Sequence, residues 1–271
     1  MNPIGIMQGR LSAAGRRTQM FPSPTWRDEF ARAQQLGFDR IEWLIDAGSL
    51  HLNPLLTDTD LVSACLRETR VTVDSICADC FIARPLVRVA DVEREAALDL
   101  LMRVINHAAE IGARTIVLPL LEGNAVRSVA ECGDLLASLD DVLAHARACD
   151  VSVALETDLP AAALCDALAK STVAVCYDLG NAAAAGCDIT AELSILGDRL
   201  SVVHVKDRPR NGASVPLGQG AVPFESVFAT LRAIGYTGPL ILETPRGQSP
   251  IDSAREQLAF VKRRIASVAV A

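Results

Sequence analysis

Gly5-Ile6-Met7-Gln8-Gly9-Arg10-Leu11 is the stretch on which the fold class turns. It begins inside a short apolar run, Ile4–Met7, that has strand character, and the turn after a first strand separates two ways of building a parallel sheet. An open, doubly wound sheet that binds a dinucleotide places Gly-x-Gly-x-x-Gly after that strand, where a helix opens. Here the turn supplies Gly5 and Gly9 but no third glycine and no helix start, so the open sheet loses its strongest marker.

Beyond this turn, seven more runs of the same kind occur at Arg40–Leu44, 71–76, 115–118, 151–155, 173–177, 201–205 and Leu240–Leu242. Each is short and apolar, as parallel strands covered on both faces must be. The segments between them carry the helical period. Leu101, Ile105, Ala108 and Ile111 share one face that Gly112 closes, and Leu135, Leu139, Val142 and Ala146 form a second stripe. Phe224, Val227, Phe228, Leu231 and Ile234 form a third, ended by Gly235, and Leu258, Val261, Ile265 and Val268 the last. The sixth helix is short, near 191–196. Eight strand–helix units without a break predict an α/β protein, a closed (β/α)₈ TIM barrel that takes the whole chain, 1–271, as a single domain.

Composition agrees. A chain of 271 residues, half of them apolar, suits one barrel with a sizeable core. Asp and Glu outnumber Lys and Arg by 33 to 26, and the basic residues are scattered, so no nucleic-acid partner is expected. The start of the chain reads as a strand rather than a charged region before an apolar run, and no stretch of about 18 uninterrupted apolar residues occurs. The expectation is a cytoplasmic protein without a membrane partner. Of eight cysteines, Cys65, Cys132, Cys149 and Cys165 fall on expected helices among apolar neighbours, where cysteine acts as a small hydrophobe. Cys77-Ala78-Asp79-Cys80 has the C-x-x-C spacing, but no second pair comes after it at zinc-site spacing, and its role stays open.

In a barrel of this kind chemistry sits where strands end. Four consecutive strands here run into potential metal ligands: the fifth into Glu156, the sixth into Asp178, the seventh into His204 and the eighth into Glu243. One such carboxylate could be a helix N-cap or the partner of an arginine. Three converging on one rim would repel one another and raise their pKa values unless a cation neutralised them. A divalent ion taking three carboxylate oxygens and one imidazole nitrogen resolves the repulsion. Of the four histidines, His107 and His145 fall on expected helices and His51 in a loop, which leaves His204 as the ligand. Lys206 lies on the same strand side as His204 and could hold a substrate hydroxyl or phosphate, or form a salt bridge to a rim acid such as Asp207. Gln8, Arg10 and Glu42 are further pocket candidates, Arg10 being the one suited to an anion; Trp43 reads as packing.

At Leu155-Glu156-Thr157, Tyr177-Asp178-Leu179-Gly180-Asn181 and Val203-His204-Val205-Lys206-Asp207 the chain resembles the xylose isomerase-like superfamily of sugar phosphate isomerases and epimerases. Residues 216–224 and 235–243, the opening 5–11 and Ile41-Glu42-Trp43 extend the likeness over essentially the whole chain. Within that superfamily the likeness is to ketose 3-epimerases, such as D-tagatose 3-epimerase and the L-ribulose and L-xylulose 5-phosphate 3-epimerases. The resemblance implies that Glu156, Asp178, His204 and Glu243 form a metal tetrad and that Glu156 and Glu243 double as acid and base. It also implies a substrate contact at Arg210. Asn181 stands where many relatives carry histidine, in the Asp-x-Gly-Asn form similar to the pentose-phosphate branch; it can bond substrate but cannot act as an acid near neutral pH.

These residues could run proton transfer beside a ketose carbonyl held by Mn²⁺, with Mg²⁺, Co²⁺ or Zn²⁺ as alternatives. The expected activity is isomerase or epimerase chemistry on a small sugar or sugar phosphate, ketose 3-epimerisation first. Dehydration of a keto-inositol or related sugar by the same site, and a non-catalytic sugar-binding barrel, stay open. An endonuclease-IV-like repair enzyme would need more histidines and a basic groove. A homo-oligomer, dimer or tetramer, is expected by analogy with relatives.

Overall fold

A computed structural model describes residues 2–13 and 19–270 of the chain. The described residues form eight parallel strands, β1 (Ile4–Met7), β2 (Arg40–Leu44), β3 (Ser75–Cys77), β4 (Thr115–Leu120), β5 (Ser152–Thr157), β6 (Ala174–Asp178), β7 (Leu200–Val205) and β8 (Leu240–Leu242). Each pairs with the next, and β8 returns to β1 to close the barrel. Around it lie α1 (Trp26–Leu36), α2 (Pro54–Thr57), α3 (Thr59–Arg67), α4 (Cys80–Ala83), α5 (Asp91–Ile111) and α6 (Val129–Ser138). After them come α7 (Asp140–Ala148), α8 (Ala161–Ala167), α9 (Leu179–Ala185), α10 (Ile189–Leu196), α11 (Phe224–Ala233) and α12 (Pro250–Val270).

Side-chain alternation along each strand splits the core in two. One residue from every strand points inward, and Met7, Leu44, Cys77, Val117, Ala154, Cys176, Val202 and Ile241 pack together inside the barrel. Their neighbours, among them Ile6, Trp43, Ile76, Leu118, Leu155 and Val203, face outward and pack under the helices. Burial of each such side chain is worth roughly 1.5–3 kcal/mol. Gly5 is required inside: a Cβ there would stand 2.6 Å from Ile241 Cδ1, which occupies the space that β1 leaves free.

The barrel matches the expected fold, and β1, β2 and β8 have the expected bounds. The third strand differs. Pairing was expected over 71–76, but Thr72 makes only an isolated bridge to Arg40, and the ladder resumes at Trp43 and Ile76. One more residue lies on the β3 side between those two points, so the register slips and the regular strand starts late. The stripe from Leu135 to Ala146 belongs to two helices, because Leu139 ends α6 and precedes α7, its amide reaching the carbonyls of both Leu135 and Leu136. Gly112 closes α5 in the left-handed conformation, as read from the sequence.

Two buried carboxylates shape the mouth. Glu29 of α1 accepts from the amides of Gly9 and Leu11 and the hydroxyl of Ser12, which folds the chain after β1. Asp207, beyond β7, accepts from the amides of Gly218, Gly220 and Val222 and gathers the loop 208–222 against the barrel. A Cβ on Gly220 would fall 2.2 Å from Asp207 Oδ1 and 2.7 Å from the Arg208 carbonyl carbon. Gly220→Ala is therefore expected to destabilise the fold by about 1–3 kcal/mol through overpacking, read as a lower urea midpoint with an unchanged slope.

Candidate active site

The alternation that builds the inner core also delivers the functional groups. Glu156 stands two residues beyond Ala154, Asp178 beyond Cys176, His204 beyond Val202 and Glu243 beyond Ile241, so all four continue inward-facing rows at the C-terminal rim. All four are buried. Donor atoms of Asp178, His204 and Glu243 lie within 4.8 Å of one another, and so do those of Glu156, Cys176 and His204. His204 Nδ1 is 3.3 Å from Glu243 Oε2 and 3.8 Å from Glu156 Oε1, yet it is buried without a hydrogen-bond partner. An orphaned imidazole nitrogen beside three carboxylates is a donor set suited to a hard or borderline divalent cation.

Asp178 combines two roles that the sequence offered as alternatives. Its Oδ1 accepts from the Asn181 amide and caps α9, while Oδ2 remains at the rim, 3.3 Å from Lys206 Nζ. Lys206 Nζ also donates to Glu243 Oε1 at 2.9 Å. β7 ends at Val205, but Lys206 keeps the cleft side of the chain and takes these two acids, leaving Asp207 to the loop amides. Arg10 adds a second cation, 3.5 Å from Glu243 Oε1 and almost fully buried.

The titration of these groups reflects that arrangement. Burial opposes a charge on Lys206, but Asp178, Glu243 and Glu156 outweigh it and hold its pKa above the usual lysine value. Burial alone would raise Glu243; Lys206, His204 and Arg10 instead hold it well below the usual carboxylate range. Burial, aided by Asp178 and Glu243, pushes the pKa of Glu156 up against the pull of His204.

Above these residues opens a cleft of about 420 Å³ whose walls include Arg10, Asp79, Glu156, Asn181, Lys206 and Arg208. A neighbouring hollow of about 540 Å³ shares Gln19, Asp79, Ile82 and Glu122 with it. Asp79 is a wall residue that the sequence reading missed. A signal for it exists, since it continues the inward row Ser75, Cys77 of β3, but its place inside the C-x-x-C spacing masks that row. Burial, with Glu243 and Glu156 close by, raises its pKa to about 7. Cys77 and Cys80 are buried free thiols.

Three expected contacts lie elsewhere. Arg210 is exposed, and its guanidinium covers Gly186 at the end of α9, in the space a Cβ there would need. Arg208 takes the cleft position, donating to Asn181 Oδ1 at 2.7 Å. Gln8 is fully buried; its Oε1 accepts from the Leu44 amide and ties β1 to β2. Glu42 is also fully buried, below the cleft, with Oε1 2.7 Å from His204 Nε2 and Oε2 bonded to Ser75 Oγ. Trp43 packs against Phe21, Trp26 and Phe30, as expected.

A barrel whose fifth to eighth strands end in a Glu–Asp–His–Glu rim defines a class, and comparison with known proteins gives the family. Residues 30–264 match the model of the xylose isomerase-like TIM barrel, and the chain belongs to that family. L-ribulose-5-phosphate 3-epimerase UlaE of Salmonella paratyphi C (strain RKS4594) is 30% identical to it, over 98% of this chain and 95% of that protein. The counterpart of the same name from Shigella flexneri serotype 5b is 28% identical over 97% and 95%. Among solved structures, an L-ribulose 3-epimerase superposes with a TM-score of 0.76 at 18% identity, covering 99% of this chain and 96% of that one. The 3-keto-D-glucoside 4-epimerase YcjR of E. coli gives 0.73 at 21%, covering 97% and 100%. These named relatives are epimerases, members of the isomerase class. Among the described residues no helix is long and apolar enough to cross a membrane.

Replacing Lys206 by Met removes the shared partner of Asp178 and Glu243. Breaking a buried pair costs about 3–5 kcal/mol, so the metal-free variant should melt well below the wild type. Added Mn²⁺ should recover part of the difference in a thermal melt, because a divalent ion can take over the neutralisation.

Proposed function

We propose that this protein is a divalent-metal-dependent ketose 3-epimerase acting on a sugar or sugar phosphate. The observation that carries the reading is that donor atoms of Asp178, His204 and Glu243 lie within 4.8 Å of one another at the barrel mouth, with Glu156 Oε1 3.8 Å from the same His204 Nδ1, which has no hydrogen-bond partner. Kinship with L-ribulose-5-phosphate 3-epimerases over nearly the full chain supports it. Glu156, Asp178, His204 and Glu243 would hold the ion; Mn²⁺ is the ion proposed, with Mg²⁺, Co²⁺ and Zn²⁺ as alternatives on the same donors. When bound, it supplies a Lewis acid and a template for a ketose carbonyl and the neighbouring hydroxyl.

The chain's own groups do the rest. One of Glu156 and Glu243 removes the proton from the carbon next to the carbonyl, and the other delivers a proton to the opposite face, which inverts that carbon. The handedness of the substrate decides which of the two acts first. Arg208 and Asn181, already bonded to each other, stand on the cleft wall ready to take substrate hydroxyls or a phosphate.

Three measurements test this. Treatment with EDTA should abolish epimerisation and Mn²⁺ should restore it. Glu243→Gln, which keeps the side chain's shape but removes its charge from Lys206 and Arg10, should fold with a lower melting temperature and lose turnover by about 10²-fold or more; wild-type turnover in that variant would exclude the mechanism. Arg208→Ala should raise KM by about 10-fold or more, the usual worth of one hydrogen bond to a charged group, while Arg210→Ala leaves it close to the wild-type value.

A further inference from the structure

The contact between Glu42 and His204 joins strands on opposite parts of the barrel. Glu42 is on β2 and His204 on β7, with β1 and β8 between them, and both side chains have no solvent exposure. A carboxylate in this position needs a reason. The surrounding inner row is apolar, with Met7, Leu44 and Val202 in it, and burying a charge there costs several kcal/mol unless it is paired and hydrogen-bonded. Both oxygens are in fact used: Oε1 meets His204 Nε2 at 2.7 Å, and Oε2 is held by Ser75 Oγ. Ser75 is well placed for this because it and Glu42 precede the paired residues Ile76 and Trp43.

An imidazole has two nitrogens and can turn over about its bond to Cβ, so nothing in His204 itself chooses which nitrogen faces the rim. An ionised carboxylate only accepts hydrogen bonds. Engaging Nε2 with Glu42 leaves Nδ1 aimed at Glu156 and Glu243, and Nδ1 is the atom found without a hydrogen-bond partner.

We infer that Glu42, anchored by Ser75, is a positioning residue for the metal centre: it fixes the ring orientation and tautomer of His204 so that Nδ1 is presented to the cation. This rests on the metal-dependent reading above. Glu42 touches neither substrate nor ion. It acts through His204, in the way that an outer carboxylate commonly orients a metal-bound histidine.

The test has two arms. In the metal-free wild-type protein, at a pH where the His204 ring is neutral, proton–nitrogen NMR should show its single proton on Nε2; a neutral ring protonated at Nδ1 overturns the inference. Calorimetric titration with Mn²⁺ should show Glu42→Ala binding about 10–100-fold more weakly, the range usual for an outer-shell partner. Glu42→Gln, which keeps an accepting oxygen, should fall between the two, and Ser75→Ala should weaken binding in the same direction by a smaller factor. A folded Glu42→Ala protein that binds Mn²⁺ as tightly as the wild type overturns the inference and leaves the metal-dependent reading standing. Absence of Mn²⁺ binding by the wild type overturns that reading instead, whatever the Glu42 variants do. If Glu42→Ala fails to fold, the wild-type NMR and the Ser75→Ala titration decide the question.

Discussion

Glu156, Asp178 and Glu243 converge within the small circle of a barrel mouth, and the mutual repulsion of these carboxylates is the constraint to which the surrounding structure responds. Two unit charges 4 Å apart interact with about 4 kcal/mol at the effective dielectric of a protein site. Three acids in that space cannot stay ionised without compensation. Lys206 and Arg10 supply part of it from the chain itself, and their uneven reach explains why Glu243 is held low while Glu156 is pushed up. A site that keeps Glu156 raised and His204 Nδ1 unpartnered still has room for more positive charge.

The electrostatics depend on the scaffold being stiff. Inward-facing rows from eight strands interlock below the rim, and the donors are the next members of four of those rows. A side chain placed by a closed hydrogen-bonded barrel cannot drift as one on a free loop can. Asp178 is fixed a second time as the cap of α9. The loops that form the cleft walls are tied down by buried carboxylates of their own, Glu29 after β1 and Asp207 after β7. Negative charge is thus used twice: paired with cations at the rim, where chemistry is proposed, and with backbone amides beside it, where the mouth is shaped.

The cleft is not symmetrical. Its β7–β8 side carries Arg208 and Lys206, the latter with the acids it faces, whereas Asp79 and Glu122 line the side shared with the adjoining hollow. Burial, with repulsion from Glu243 and Glu156 added to it, raises Asp79 to about 7.

Much of this was legible in the residue order. Local periodicity is a property of neighbouring residues, so the strand–helix alternation, the bounds of β1, β2 and β8, the glycine closing α5 and the place of Glu156, Asp178, His204 and Glu243 at the strand ends could be read directly. The late start of β3 and the break at Leu139 could not, because a register slip and a helix kink depend on what the segment packs against. Nor could the division of labour between Arg208 and Arg210, two residues apart on one loop, which is decided by how Asp207 folds that loop. Glu42 is the clearest case. As a lone acid in an apolar strand it suggested a pocket residue, and only closure of the barrel, bringing together side chains 162 positions apart, turned it toward His204 instead.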